Sequence, residues 1–311
     1  FHLVKIAPHL SFCSVQIAYC AQERQIGDSV KVQVKRNFKN SVLFPTRFLG
    51  LNATCEEQLA LEKRFATHKI VNFENNKIGF EVVQAGNKHV FLPEQVVAFY
   101  LRKLHEFYVK DGVTNKDIVL SVPSYASNTE RQALIDAVDI AGLKCLRIVN
   151  ESTAIAYNYS FIRKSDLDAT NERVVAFVDM GHSKTTVTIA AFKQGSCRII
   201  VHNSDRNLGG RDLDWQVLQK CAEEFTAKYG DDPRNSPRCV LRMLETIEKA
   251  RKLLSGDTEA TISIDYLLNE EDLVRKMKRE EFEALIDAQA RALTTLLQET
   301  IAKSGKCFQQ I

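Results

Sequence analysis

Apolar residues recur at three- and four-residue intervals through some stretches of the chain and run on or alternate through others. These two rhythms sort it into helices and strands. Residues 93–108 are the clearest helix of the first third: Pro93 suits a first helical position, Val96, Val97, Tyr100 and Leu104 share a face, and Gly112 closes it. Residues 117–122 are a short buried strand stopped by Pro123. Ser127 and Glu130 have the spacing of a capping box, and the helix they open carries Leu134, Ala137, Val138 and Ala141 before Gly142. A strand over 144–149 and a helix from Glu151 follow, and this strand–helix alternation is an α/β signature.

Upstream, the pattern predicts a strand within 11–20 with no obvious earlier partner, a turn over 24–28, a short helix over 29–36 and a break over 40–45. A helix over 55–66 and hairpin-like strands over 68–73, 77–84 and 89–92 come next. Downstream, the polar residues 163–172 mark a lobe boundary. Residues 173–178 read as a buried strand, 179–184 as a tight turn, 185–192 as the returning strand and 197–202 as a third. Helices over 211–228 and 238–255, strands over 261–264 and 271–274, and one last amphipathic helix ending near 303 complete the chain.

Composition changes this picture little. At 311 residues the chain can bury a large core and divide into lobes. The net charge of +3 comes from interleaved acids and bases, which argues against a nucleic-acid footprint. Eight cysteines without a CxxC pair favour a reduced intracellular protein over a disulfide scaffold or zinc site. No apolar run approaches the roughly 18 residues of a membrane span, and residues 1–9 lack the pattern of a signal peptide.

Three features carry candidate chemistry. Asp179-Met-Gly-His-Ser183 puts a carboxylate and a glycine turn at a strand end, which suits a phosphate with its metal ion but also occurs in plain hairpins. Gly209-Gly210 before a helix offers amides and a dipole to an anion, or is simply a flexible turn. Glu248, Arg251, Lys252 and Ser255 share the outer face of one helix, where a solvated charge run is the ordinary reading.

Together, Ser121-Val-Pro-Ser-Tyr125, the run from Ile140 to Asn150-Glu-Ser-Thr-Ala154, Phe177-Val-Asp-Met-Gly-His-Ser183 and Leu208-Gly-Gly-Arg-Asp-Leu-Asp214 resemble the nucleotide-binding domain of the 70-kDa heat-shock chaperone superfamily. The Asp-Met-Gly-His-Ser form is similar to the large, 110-kDa branch. The resemblance implies an α/β, actin-like (ribonuclease H-like) ATPase domain. The first lobe would be 1–168, with its outer part about 17–93; the second would be 169–311, with inner part 173–207 and outer part about 208–303. It implies ATP or ADP with Mg2+ as ligands. Asp179 and Glu151 would be the carboxylates near the metal, acting through water, and Gly181, Gly209 and Gly210 would meet the phosphates. Glu248, Arg251, Lys252 and Ser255 would face the adenosine.

Departures shape the functional expectation. The family's first phosphate loop and its closing Gly-Gly-x-Thr-Arg motif do not occur in these 311 residues, so both ends read as incomplete and nucleotide binding as weakened. Leu51-Asn52 stands where the 70-kDa chaperones carry a lysine that assists hydrolysis, and Lys184 and Thr186 replace a threonine and an aspartate. Losing charge at the transferring phosphate removes a main source of catalysis. The resemblance therefore points to a cytoplasmic, ATP-binding co-chaperone that exchanges nucleotide on a 70-kDa heat-shock partner, with little or no hydrolysis. Unfolded clients would bind through domains outside this sequence. The alternatives are an ATP-hydrolysing foldase and a form that docks to partners without nucleotide.

Overall fold

A computed structural model describes residues 15–20, 23–110, 112, 114–307 and 309, so positions 11–14 of the first expected strand lie outside the described residues. The chain divides into two compact units, residues 1–122 with 126–149 and residues 123–125 with 150–311.

In the first unit, β1 (Gln16–Tyr19) lies between β2 (Arg24–Ile26) and β3 (Ser41–Leu43), antiparallel to both. The turn expected over 24–28 is thus a strand for its first three residues. All four residues of β1 are buried, and β2 supplies the ladder for its second edge. Helices α1 (Asp28–Gln33) and α2 (Glu56–Lys63) follow, then the antiparallel meander β4 (Lys69–Asn72), β5 (Ile78–Gln84) and β6 (Asn87–Phe91).

Helix α3 (Pro93–Lys110) serves two cores with two faces. Val96, Tyr100 and Leu104 pack with Ile17, Phe48 and Phe80. Val97, Ala98 and Leu101 pack with residues of β7 (Asp117–Val122) and α4 (Asn128–Ile140), including Leu120, Leu134 and Val138. The expected capping box is formed on both sides: Glu130 N–H donates to Ser127 Oγ at 3.2 Å and Ser127 N–H donates to Glu130 Oε2 at 2.6 Å. Strand β8 (Lys144–Asn150) pairs with β7.

The second unit is built on the antiparallel sheet β11-β10-β9, from β9 (Arg173–Met180), β10 (Thr185–Lys193) and β11 (Ser196–Asp205). Central β10 is buried from Thr185 to Phe192. Helix α5 (Glu151–Ile162) packs on this sheet: its Ala156, with Leu167 beyond the end of the helix, shares a core with Ala190 and Phe192. That burial groups residues 150–168 with the second unit. A further core lies among α6 (Gly210–Tyr229), α7 (Pro237–Leu253) and the hairpin β12 (Glu259–Leu268)–β13 (Glu271–Lys278), with Leu218, Phe225, Met243, Ile247 and Ile262 at its centre.

The single last helix expected from the amphipathic pattern is two, α8 (Arg279–Leu285) and α9 (Asp287–Ser304). They break at Ile286, whose φ of −100° and ψ of 7° leave the helix. The break lets α8 lie on β13 and α6 while α9 turns to β10 and β11. No helix among the described residues is long and apolar enough to cross a membrane.

Candidate functional site

Every candidate site residue expected from the sequence falls in the second unit, and most are brought together there. Asp179 ends β9 opposite Thr186 of β10. The turn between them closes with Gly181 N–H donating to the Lys184 carbonyl at 2.9 Å. Beside it run the residues leading into α6. Gly210 N–H donates to the Gly181 carbonyl at 3.0 Å and Arg211 N–H donates to the His182 carbonyl at 2.8 Å. Gly209 N–H donates to Asp212 Oδ2 at 2.9 Å, and the buried Thr185 hydroxyl donates to the Leu208 carbonyl at 2.6 Å.

In this structure the amides of Gly209 and Gly210, expected to face an anion, are hydrogen-bonded within the protein. Gly209 also serves a close approach: a Cβ there would lie 2.5 Å from Ser183 N and 2.6 Å from the His182 carbonyl carbon. A Cβ on Gly210 would meet the end of the Arg251 side chain, 3.3 Å away, and the Gly181 carbonyl oxygen at an ordinary 3.8 Å.

Glu151 is the first residue of α5 and is buried. Its Oε2 accepts a short hydrogen bond from the Lys184 ammonium, which is itself largely buried. Its Oε1 is buried and accepts no hydrogen bond. The neighbouring Ser152 and Ser124 hydroxyls are hydrogen-bonded at 2.7 Å, beside Tyr125. Lys184 Nζ and the Arg206 guanidinium lie 5.9 and 4.7 Å from the Tyr125 ring centroid, so two cations gather at one aromatic ring, one of them paired with the Glu151 carboxylate. Sequence reasoning marked Lys184 as a substitution but missed this cluster, because Glu151 and Lys184 are 33 residues apart. Arg206, two residues before Leu208, carried no motif of its own.

On α7, Arg251 donates to Asp214 of α6 from Nε at 2.6 Å and from Nη2 at 3.2 Å. Burial pushes the Asp214 carboxyl up, against the opposing hydrogen bond and charge of Arg251. Lys252 donates to Glu248 at 2.6 Å. Burial pushes the Glu248 carboxyl up, but the Lys252 hydrogen bond and the charges of Lys252, His182 and Arg251 hold it below its usual value. Ser255, two residues past the end of α7, donates from Oγ to the Arg251 carbonyl at 3.5 Å. The face expected to meet adenosine is therefore a set of paired charges next to the glycine turn.

The Hsp70 protein family model matches residues 12–311. The chain belongs to the Hsp70 family. Its relatives place it in the 110-kDa branch, and the family's domain has the actin-like ATPase fold. A heat shock protein homolog of the yeast Lachancea kluyveri is 34% identical over 298 residues, 95% of this chain and 43% of that protein. Its counterpart in Saccharomyces cerevisiae, also a heat shock protein homolog, has the same identity and coverage. The 97 kDa heat shock protein of Strongylocentrotus purpuratus is 34% identical over 274 residues, 86% of this chain and 30% of that protein. The chain thus spans less than half the length of these relatives.

Hsp70-family domains bind nucleotide, usually with Mg2+. Around Glu151 the donor set fits that ion poorly. Glu151, expected to order metal-bound water, already faces the Lys184 ammonium. Unit charges about 4 Å apart at an effective dielectric near 20 interact by about 4 kcal/mol, and a dication beside an ammonium would be repelled by about twice that.

Proposed function

We propose that this chain is the nucleotide-binding domain of a large, cytoplasmic heat-shock co-chaperone. It binds ATP and ADP in the service of nucleotide exchange on a 70-kDa heat-shock chaperone, and itself hydrolyses ATP little or not at all. The observation that carries the reading is the ion pair between Glu151 and Lys184. Phosphoryl transfer to water depends on charge aimed at the transferring group and on an oriented nucleophile. Here the carboxylate nearest that task is neutralised from within, and the residue opposite Asp179 is Thr186 rather than an acid. Such a site can hold phosphates without driving their cleavage. In this reading the turn at Asp179 and Gly181 lies against the phosphates, and the α7 face of Glu248, Arg251, Lys252 and Ser255 lies against the adenosine.

One observation favours a second reading, a form that docks to its partner without nucleotide: the Gly210 and Arg211 amides are already hydrogen-bonded within the protein. Stopped-flow release of a fluorescent ADP analogue from a 70-kDa chaperone tests both. The first reading expects this protein to speed release at least about tenfold, with an additional dependence on its own bound nucleotide; the second expects the acceleration without that dependence. No acceleration, together with magnesium-dependent ATP turnover abolished by Asp179→Asn, would refute both and favour a hydrolysing foldase.

A further inference from the structure

We infer that Lys184 is a built-in cation that takes over the charge role of a divalent metal, so that the phosphates of a nucleotide bind here without magnesium. The inference rests on the nucleotide reading above and deepens it. An ammonium has three donors. In Lys184 one of them goes to Glu151 Oε2, which fixes the position of the head group, and two remain for phosphate oxygens. Arg206 stands on the same Tyr125 ring and adds a second fixed positive charge to this side of the unit. Guanidinium and ammonium groups are the side chains that hold phosphate directly, by fork or by point charge.

Glu151 acts here as a positioning residue rather than a metal-water ligand. Its charge is matched by Lys184, and its remaining oxygen, buried and without a hydrogen-bond donor, suits one neutral donor such as water. The two groups are buried to a similar degree, with side-chain exposures of 14% for Lys184 and 8% for Glu151. A charge held that far from solvent persists only when paired. At Glu151 magnesium could enter only by displacing the lysine.

Isothermal titration of the protein with ADP, once in magnesium chloride and once in EDTA, tests this directly. The dissociation constant of the wild type should differ by less than about threefold between the two buffers, whereas Lys184→Thr should bind at least about tenfold more tightly with magnesium than without. Wild-type binding that weakens tenfold or more in EDTA overturns the inference and leaves the nucleotide reading standing. Absence of ADP binding in either buffer overturns both.

Mn2+ titrated into the nucleotide-free protein and followed by electron paramagnetic resonance gives a second readout. The wild type should leave the manganese free and Lys184→Thr should bind it; equal binding by the two overturns the inference. If Lys184→Thr does not fold, Lys184→Met replaces it. This variant keeps the packing of the side-chain stem but not the charge and should bind ADP at least about tenfold more weakly than the wild type in EDTA; unchanged binding would count against the lysine as the phosphate's cation.

Discussion

Replacing Gly209 by alanine probes whether the two turns are locked by backbone contact. The residue is extended, with φ −152° and ψ −179°, so alanine meets no backbone strain of its own. The cost is steric. The added Cβ would stand 2.5 Å from Ser183 N and 2.6 Å from the carbonyl carbon and oxygen of His182, all main-chain atoms that cannot rotate away. Reaching an ordinary contact requires the 179–184 turn to retreat by nearly 1 Å. The bonds from Gly210 N–H to Gly181 and from Arg211 N–H to His182, now 3.0 and 2.8 Å, would then stretch past hydrogen-bond length. Overpacking costs about 1–3 kcal/mol and each of the two lost bonds about 0.5–1.5, so a total of about 2–6 kcal/mol is expected. Gly210→Ala is the control, expected within about 1 kcal/mol of wild type, because its one tight Cβ contact is with the flexible tip of Arg251. The chain's single tryptophan, Trp215, packs against the core of the second unit and reports guanidinium unfolding of that unit alone. A Gly209→Ala variant within about 0.5 kcal/mol of wild type, or no worse than Gly210→Ala, would refute the reasoning.

Two further expectations concern buried charge. His68 is buried in the first unit with its ring edge-on to Phe48 and Phe80, and burial pushes it down to about 4, with the Ser41 backbone opposing to a smaller degree. The unfolded chain takes up this proton near pH 6.5 and the folded chain only near 4, so stability is intact above 6.5 and falls by up to about 3 kcal/mol as the pH drops through that window. His68→Phe should flatten the loss, and an unchanged pH slope in urea melts of the variant would count against it. In the second unit, Asp214→Asn should cost about 2 kcal/mol by leaving Arg251 half-satisfied, but much less in an Arg251→Met background; strictly additive effects in that double-mutant cycle would show that the pair is not coupled.

How far these features could be read in the sequence depends on how far each one reaches along the chain. The α3 helix, the Ser127–Glu130 box and the Asp179 hairpin rest on residues within a few positions of one another, and the structure forms all three. Strand β2 was hidden because three residues, Arg24–Ile26, show no alternation; only the buried edge of β1 makes them a strand. The break at Ile286 was hidden because neither glycine nor proline marks it and the amphipathic pattern runs through it. In the site, the glycine pair and the acids were visible as residue types, whereas their partners were not. Glu151 finds Lys184 across 33 residues and Asp214 finds Arg251 across 37, and such pairings leave no local pattern.

Those long-range pairs also determine what the site can ask of a ligand. Glu151 with Lys184 and Asp214 with Arg251 each balance one charge within the second unit, as does the local pair of Glu248 and Lys252 on α7. A cluster left with unmatched acids would need a metal ion to relieve their repulsion, and its geometry would follow the ion. Paired internally, the same residues hold their positions beforehand, and the backbone bonds between the two turns hold the main chain as well. A nucleotide arriving there would meet a preformed surface and would gain little from remodelling it. Its negative charge would have to be met by the uncommitted donors of Lys184 and by Arg206, not by the glycine amides. On the proposed reading, recognition rests on side-chain charge just before β10 and just after β11, carried by residues whose identity the turn motif alone does not prescribe.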